Sequence, residues 1–320
     1  MLIDFPRYTS LEEYEKAIDE MVDLLKTFDG AHTIFQVGGL SSPGISDIDF
    51  FVVFEDGVIC NREPLNEISP KARYLFTHSL FGTAKKYAAQ LEQYTLFRNY
   101  RKLWGEDFDV TEQYQDPDDT MLTQMALEYL FKMYLTLQIE SKNGIHGVRN
   151  FLLLAKAIEY DLKLLNISEG SLYDLCNEVL ALRDRWFEDK IEKMQIEQFI
   201  PRFKSGVGQF LSDQLAHNTF YLPKVFNHKI ARNMQIANGD CLKTTIKGVA
   251  PFPAFGTALM GKKYPKLLNR LVDFTFHIPY SQDDIPKRIN DRFEALREAA
   301  AYNKEYLSHF SCTGYPLNIF

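Results

Sequence analysis

Residues 37–54 read VGGLSSPGISDIDFFVVF and combine a glycine-rich loop with an apolar run that contains two aspartates. The letters IDFFVVF (48–54) are rich in residues that favour β-structure, so they predict a strand. Side chains two residues apart on a strand lie on the same face, and we therefore expect Asp47 and Asp49 to project side by side. Two carboxylates that close repel each other unless a cation lies between them. The stretch thus predicts a metal site with these two aspartates as ligands.

The loop before the aspartates offers groups that can bind phosphate. Gly38 and Gly39 allow the backbone to approach a ligand closely, and Ser41 and Ser42 add hydroxyl and amide donors. Ser46, at the end of the loop, is a further candidate for nucleotide binding. Proteins usually hold Mg²⁺ through one or two carboxylates together with substrate phosphates. We therefore expect phosphate on the loop side of the site and Mg²⁺ on the aspartate side.

The segments that flank this stretch predict an α/β pattern in the first third of the chain. Residues 9–28 carry apolar side chains at spacings of three and four, which predicts a helix, and Thr9 with Glu12 matches a capping box. HTIFQV (32–37) predicts a strand before the loop, and ARYLFTHSLF (72–81) is expected to supply a third strand. A helix followed by strands of this kind is typical of a layered domain with a sheet.

From about residue 117 the sequence changes to long segments of helical periodicity with few turn residues, which predicts a helical bundle. One of these segments is 171–194, with Ser171 as a candidate N-cap. Residues 218–280 are richer in Gly, Pro, Asn and β-formers, which predicts loops and strand hairpins. A last helix is expected from about residue 285 to 307.

The whole chain has 320 residues, 46% of them hydrophobic, and is long enough for two domains with separate cores. We predict an α+β fold in which residues 1–115 form a mixed sheet with flanking helices and residues 116–320 are mainly helical, with some hairpin and loop structure. The chain lacks an apolar run of about 18 residues, and its N-terminus lacks a signal-peptide pattern. We therefore expect a cytoplasmic protein with no membrane partner.

The charge is distributed unevenly along the chain. Residues 1–115 carry 11 Lys and Arg against 19 Asp and Glu, a net charge of −8, whereas residues 201–270 carry 11 against 2, a net charge of +9. Such asymmetry indicates either a polyanionic partner such as RNA or a basic surface that balances the acidic one within the folded protein. The sequence leaves both alternatives open.

The run VGG, a short loop and SDIDFFVV together resemble the signature of the nucleotidyltransferase superfamily, the DNA polymerase β-like group. In that family a Gly-Gly or Gly-Ser pair opens a loop that ends in Asp-x-Asp at the start of a strand. The matching positions here are Gly38, Gly39, Asp47 and Asp49. KLWGEDF (102–108) is similar to a Tyr/Phe-Gly-Glu segment of the antibiotic adenylyltransferase branch. The helical region that follows is similar to the helical C-terminal region of that branch.

The resemblance implies transfer of a nucleoside monophosphate from a Mg²⁺-bound nucleoside triphosphate (NTP) to a hydroxyl of a small molecule or macromolecule. Asp47 and Asp49 would hold one or two Mg²⁺ ions, and the glycine loop would orient the triphosphate. Lys156, in the helical region, is a candidate for reaching a phosphate, although a solvated lysine on an amphipathic helix is the plainer interpretation. The sequence does not indicate the base or the acceptor.

One feature of the family is missing from the expected position. Active members carry a third carboxylate on a later strand, but the predicted third strand here contains none, and its polar groups include Tyr74, Thr77 and His78. Either His78 acts as the base, or Asp107 or Asp109 folds back into the site, or the domain binds nucleotide without turning it over. The last alternative would make the protein a nucleotide-binding regulator or scaffold.

Overall fold

The computed structural model describes most of the chain, namely residues 1–94, 99–107, 117–189, 191–223, 235–237, 241–246, 253–260, 264 and 274–312. The helices, numbered along the chain, are α1 (Leu11–Leu25), α2 (Pro64–Glu67), α3 (Pro70–Leu75), α4 (Lys85–Tyr94), α5 (Asp119–Asn143), α6 (Val148–Leu164), α7 (Ser171–Asp184), α8 (Lys193–His217), α9 (Pro253–Met260) and α10 (Lys287–Tyr306). The strands are β1 (Leu2–Ile3), β2 (Ala31–Val37), β3 (Asp49–Phe54), β4 (Phe81–Ala84), β5 (Tyr100–Gly105), β6 (His146–Gly147), β7 (Gln235–Ala237), β8 (Cys241–Ile246) and β9 (Phe274–Pro279).

The described residues fall into two compact units. The sheet unit contains those of 7–117 and 290–315, and the helical unit contains those of 1–6 and 118–289. The sequence suggested a boundary after residue 115. The structure additionally groups most of the last helix, α10, with the sheet.

The sheet unit is built on a four-stranded mixed sheet with the order β4-β3-β2-β5. Strand β2 pairs antiparallel with both β3 and β5, and β3 pairs parallel with β4. The predicted strands at 32–37 and 48–54 are therefore confirmed as β2 and β3. Together with the helices, this sheet makes the protein α+β, as predicted.

Strand β3 lies at the centre of this unit, and its residues are buried on both faces of the sheet. Phe50 and Val52 belong to the core cluster that includes the apolar face of α1. Phe51 and Val53 point the other way and belong to a second cluster with Leu296 of α10. Because both faces are covered, β3 reads as a continuous apolar run in the sequence, and only its first residue is a carboxylate.

The predicted strand at 72–81 is wrong over most of its length. Its first residues lie in helix α3, and strand β4 begins only at Phe81. The Ser69 side chain accepts a hydrogen bond from the backbone N–H of Ala72, and Pro70 occupies the first turn of the helix. A serine cap followed by proline is a helix-start signal, and here it outweighs the β-forming residues that follow it.

Two predicted helix starts are shifted by one residue. The capping box of α1 is formed by Ser10 and Glu13 rather than by Thr9 and Glu12. Ser171 is the first residue of α7 rather than its N-cap, and the predicted helix 171–194 ends at Asp184. Neighbouring polar residues give similar capping patterns, so the sequence does not decide which of them caps the helix.

The helical unit is dominated by α5 to α8. Helix α5 packs against α6 and α8, and α7 packs against the same two helices. Strands β7, β8 and β9 form a small antiparallel sheet, which confirms hairpin structure within the predicted segment 218–280. The last helix, predicted at about 285–307, is observed as α10.

The structure bears only in part on the predictions about a membrane and about RNA as partners. Among the described residues, no helix combines the length and the apolar composition that a membrane span requires. Part of the basic segment 201–270 lies outside the described residues, and RNA binding by this segment stays a prediction.

Candidate metal and phosphate site

The loop that leads to the aspartates is a tight turn held by the hydroxyl groups of two tyrosines. The backbone N–H of Ser46 donates to the carbonyl of Ser42 (2.8 Å), and the N–H of Ser42 donates to the Ser46 hydroxyl (3.1 Å). The Tyr14 hydroxyl donates to the carbonyl of Ser46 (2.6 Å) and accepts from the N–H of Gly44 (2.9 Å). The Tyr74 hydroxyl donates to the carbonyl of Gly44 (3.0 Å). Side chains from α1 and α3 therefore fix the shape of this turn.

The predicted phosphate-binding residues differ in how accessible they are. Gly38 is exposed with a φ of +72°, and its N–H already donates to the carbonyl of Asn99 (2.6 Å). Gly39 and Ser41 are exposed. Ser46 is 4% exposed, and its hydroxyl braces the turn. Among the predicted loop residues, Gly39 and Ser41 thus present the most accessible surface to a phosphate, and the binding roles of all four stay predictions.

The structure brings both aspartates together with His78. Asp47 directly precedes β3 and Asp49 is its first residue, while the N–H of Ile48 between them donates to the carbonyl of Leu75 (2.9 Å). This bond fixes the end of α3 beside the start of β3, so the residues after α3 reach the carboxylates. One ligand atom from each of Asp47, Asp49 and His78 lies within 4.8 Å of the other two.

Each aspartate has a partner from the segment after α3. The Thr77 hydroxyl donates to Oδ2 of Asp47. Nε2 of His78 lies 2.9 Å from Oδ1 of Asp49, and Nδ1 of His78 lies 2.8 Å from the carbonyl oxygen of Ser79. A carbonyl oxygen can only accept, so Nδ1 carries a proton and Nε2 is the nitrogen that faces the carboxylate.

Two opposing effects set the pKa of His78. Burial among neighbouring atoms favours the neutral ring and lowers the pKa, but the hydrogen bond and negative charge of Asp49, the Ser79 carbonyl and the charge of Asp47 outweigh it. The result raises the pKa from 6.5 to about 9. The ring is therefore mostly an imidazolium near neutral pH when no metal is bound. In that form it has no lone pair with which to accept a proton, so the predicted base role of His78 depends on what else occupies the site.

The donor set fits a divalent cation. Ligand atoms about 2.1 Å from an octahedral ion lie about 3 Å from their neighbours, and Oδ1 of Asp49 and Nε2 of His78 are 2.9 Å apart. Oδ1 of Asp49 is buried, and apart from this ion pair it has no hydrogen-bond partner in the described part of the chain. The ion pair with His78 is therefore the contact that compensates for burial of this oxygen in the metal-free protein, and a bound cation would take over that role.

The remaining candidate residues are Lys156, Asp107 and Asp109. Lys156 is on α6 in the helical unit, where its ammonium lies 2.5 Å from Oε2 of Glu159. Asp107 is exposed and pairs with Lys102, and Asp109 lies outside the described residues. Of the two candidate residues that the structure describes, His78 and Asp107, it places His78 against the aspartates. The phosphate contact of Lys156 stays a prediction.

Sequence reasoning missed the groups that support the site. Tyr14 was visible only as an apolar position of an amphipathic helix, because helical spacing identifies the buried face but not the contact that a hydroxyl makes there. Thr77 gave no signal as a partner of Asp47, since that contact depends on α3 ending beside β3.

Comparisons with protein-family models, curated proteins and solved structures gave no match for this chain.

Proposed function

We propose that this protein is a metal-dependent nucleotidyltransferase that moves a nucleoside monophosphate from an NTP to a hydroxyl acceptor, which is a small molecule or a macromolecule. One observation carries the proposal: Asp47 and Asp49 lie together at the start of β3, directly after a braced glycine loop. The resemblance of this stretch to the nucleotidyltransferase signature supports the same reaction class.

The aspartates and the glycine loop would serve different parts of the reaction. Asp47 and Asp49 would hold one or two divalent cations, with Mg²⁺ expected for a pair of carboxylates, and such a cation supplies charge neutralisation for the triphosphate and the departing pyrophosphate. Gly39 and Ser41 offer donors to phosphate oxygens on the loop side. The acceptor hydroxyl attacks the α-phosphorus, the new O–P bond forms as the bond to the pyrophosphate oxygen breaks, and the hydroxyl proton passes to solvent water.

The contacts around the aspartates support their role as ligands. The Thr77 hydrogen bond orients the Asp47 carboxylate. The brace from Tyr14 holds the backbone of Ser46, the residue before Asp47. A rigid approach to the carboxylates reduces the reorganisation that binding requires, which is how preorganised sites gain affinity and rate.

A second candidate function is a nucleotide-binding regulator or scaffold without turnover. The observation that favours it is the contact between Nε2 of His78 and Oδ1 of Asp49, which gives one expected metal ligand a partner within the protein. A histidine in place of the third carboxylate also leaves the site with one negative charge fewer.

Calorimetric titration with ATP, GTP, CTP and UTP, each with and without Mg²⁺, tests the site. We expect Mg²⁺-dependent binding of at least one NTP, and loss of this dependence in the double variant Asp47→Asn/Asp49→Asn. Asp107→Asn is the matched control, because it removes an exposed carboxylate that already pairs with Lys102. Equal Mg²⁺-dependent affinity in the double variant would exclude the two aspartates as ligands.

Pyrophosphate release separates the two candidate functions. Incubation with the bound NTP and a panel of hydroxyl acceptors should release pyrophosphate in the wild type and not in the double variant. Mg²⁺-dependent binding without release for any acceptor supports the regulator or scaffold. Absence of binding to every NTP, both with Mg²⁺ and with Mn²⁺, would refute both functions.

A further inference from the structure

We propose that Asp47, Asp49 and His78 form one three-ligand site that binds a first-row transition metal ion such as Mn²⁺ in preference to Mg²⁺. The inference deepens the proposed function and rests on it in one respect, the role of both aspartates as metal ligands. His78 then acts as a ligand rather than as a base. The site keeps open coordination positions for the phosphate oxygens of a substrate.

The orientation of the imidazole is that of a metal-binding histidine. Nδ1 of His78 donates to the Ser79 carbonyl at 2.8 Å, which fixes the ring and leaves Nε2 towards the carboxylates. Histidines that bind metals nearly always donate their other ring N–H to a carbonyl, a carboxylate or water. The backbone after α3 therefore supplies His78 with the supporting contact that a ligand needs.

The spacing of the three donor groups supports one shared ion. Nε2 of His78 and Oδ1 of Asp49 are 2.9 Å apart, close to the separation of about 3 Å between neighbouring ligands of an octahedral ion. An atom of Asp47 lies within 4.8 Å of atoms of both other residues, so a small movement brings all three to one centre.

The chemistry of the donors decides the preferred ion. Mg²⁺ is a hard cation that takes oxygen ligands almost exclusively and gives up water reluctantly. An imidazole nitrogen favours transition metals, whose affinity for mixed nitrogen and oxygen sites exceeds that of Mg²⁺. Replacement of a third carboxylate by His78 therefore weakens the site for Mg²⁺ more than it does for Mn²⁺.

Competing titrations of the whole protein with Mn²⁺ and Mg²⁺ test the selectivity. Free Mn²⁺ is measured by its electron paramagnetic resonance signal, and Mg²⁺ by its displacement of bound Mn²⁺. The variants are His78→Gln, which removes the imidazole, and His78→Glu, which offers an oxygen ligand instead. The control is His309→Gln, because Nδ1 of His309 also lies 2.9 Å from a carboxylate oxygen, that of Glu63.

We expect the preference for Mn²⁺ over Mg²⁺ to fall about 10- to 100-fold in both His78 variants, the scale on which loss of a supporting group changes metal affinity. His309→Gln should keep the wild-type preference. An unchanged preference in His78→Gln, with its urea-unfolding midpoint intact, would overturn the inference.

A measurement on the wild type does not depend on any variant folding. Mn²⁺ is paramagnetic and broadens the resonances of nearby nuclei, so substoichiometric Mn²⁺ should broaden the ring signal of His78 and spare that of His309. Equal broadening of both signals, or of neither, would contradict ligation by His78.

Failure of the inference and failure of the proposed function give different results. If Asp47→Asn/Asp49→Asn abolishes Mn²⁺ binding while His78→Gln leaves the preference unchanged, the aspartate site stands and the role of His78 as a ligand is wrong. If the double aspartate variant binds Mn²⁺ as tightly as the wild type, the carboxylate site itself is wrong, and both proposals fall.

Discussion

Replacement of Tyr14 by phenylalanine removes one hydroxyl on which two backbone groups of the loop depend. This hydroxyl donates to the carbonyl of Ser46 and accepts from the N–H of Gly44, at 2.6 and 2.9 Å. Tyr14 is 0% exposed, and Ser46 and Gly44 are also buried. Water therefore has little access to the two groups that Tyr14→Phe leaves without their partner.

The cost follows from these two lost contacts. A buried donor or acceptor that loses its partner costs about 1–3 kcal/mol. The apolar packing of the ring is unchanged, so the transfer free energy of the side chain adds little. Allowing for partial relaxation of the turn, we expect Tyr14→Phe to lower the free energy of unfolding by about 2–4 kcal/mol. The same change should weaken Mn²⁺ binding, because Asp47 directly follows the braced residue.

Urea unfolding followed by circular dichroism measures the first effect, and the Mn²⁺ titration measures the second. The matched control is Tyr306→Phe. Tyr306 stacks on Tyr302 with ring centroids 4.5 Å apart, and its hydroxyl forms no hydrogen bond among the described residues. A change of less than about 0.5 kcal/mol is expected for that substitution, because it keeps the stacked ring and removes a hydroxyl with no hydrogen bond among the described residues.

The role of the Tyr14 hydroxyl as a brace would be refuted by two results together. The free energy of unfolding of Tyr14→Phe would lie within about 0.5 kcal/mol of that of Tyr306→Phe, and Tyr14→Phe would bind Mn²⁺ with wild-type affinity. Loss of stability with unchanged Mn²⁺ affinity would separate the two effects. In that case the hydroxyl supports the fold, while the position of Asp47 is set by the start of β3.

Three further outcomes are expected from the local geometry. The pKa of His78, raised from 6.5 to about 9, means that its pairing with Asp49 stabilises the metal-free fold fully below pH 6.5 and loses this contribution as the pH rises through about 9. Because the His78 side chain is 47% exposed, solvent screening limits this contribution to about 1 kcal/mol. It is measured as the change with pH in the difference between the free energies of unfolding of the wild type and His78→Gln. A difference that does not change with pH would contradict the pairing. Gly38→Ala should cost about 1–2 kcal/mol because its φ of +72° is strained for alanine, whereas Gly39→Ala, with a normal φ and no neighbouring atom within 4 Å, should be close to neutral in thermal unfolding. Ser10→Ala removes one half of the observed capping box of α1 and should cost about 1 kcal/mol, and no loss would place the helix start elsewhere.

The elements with strong local signals were predicted correctly. The periodicity of α1 and the β-forming runs of β2 and β3 each depend on residues close together in the chain, so the sequence carries them directly. Strand alternation predicted that Asp47 and Asp49 project side by side, and the two side chains do lie close together, although Asp47 precedes β3. These signals also fixed the α+β class.

Elements whose signals conflict were predicted less well. The segment 72–81 contains β-forming residues but begins just after Ser69 and Pro70, and the helix start prevailed. The sequence likewise left open which of several neighbouring polar residues caps α1. In both cases the competing local energies are each about 1 kcal/mol, and packing decides between them.

The sequence by itself therefore determined the aspartate pair, the glycine loop and the strands around them, because these follow from spacing along a few residues. Only the tertiary structure decided that α10 packs on the sheet of the sheet unit and that the Tyr14 hydroxyl braces the loop. It alone also placed His78 rather than Asp107 beside the aspartates. Each of these contacts joins residues far apart in the chain, and such contacts depend on how the helices and strands pack rather than on any local pattern.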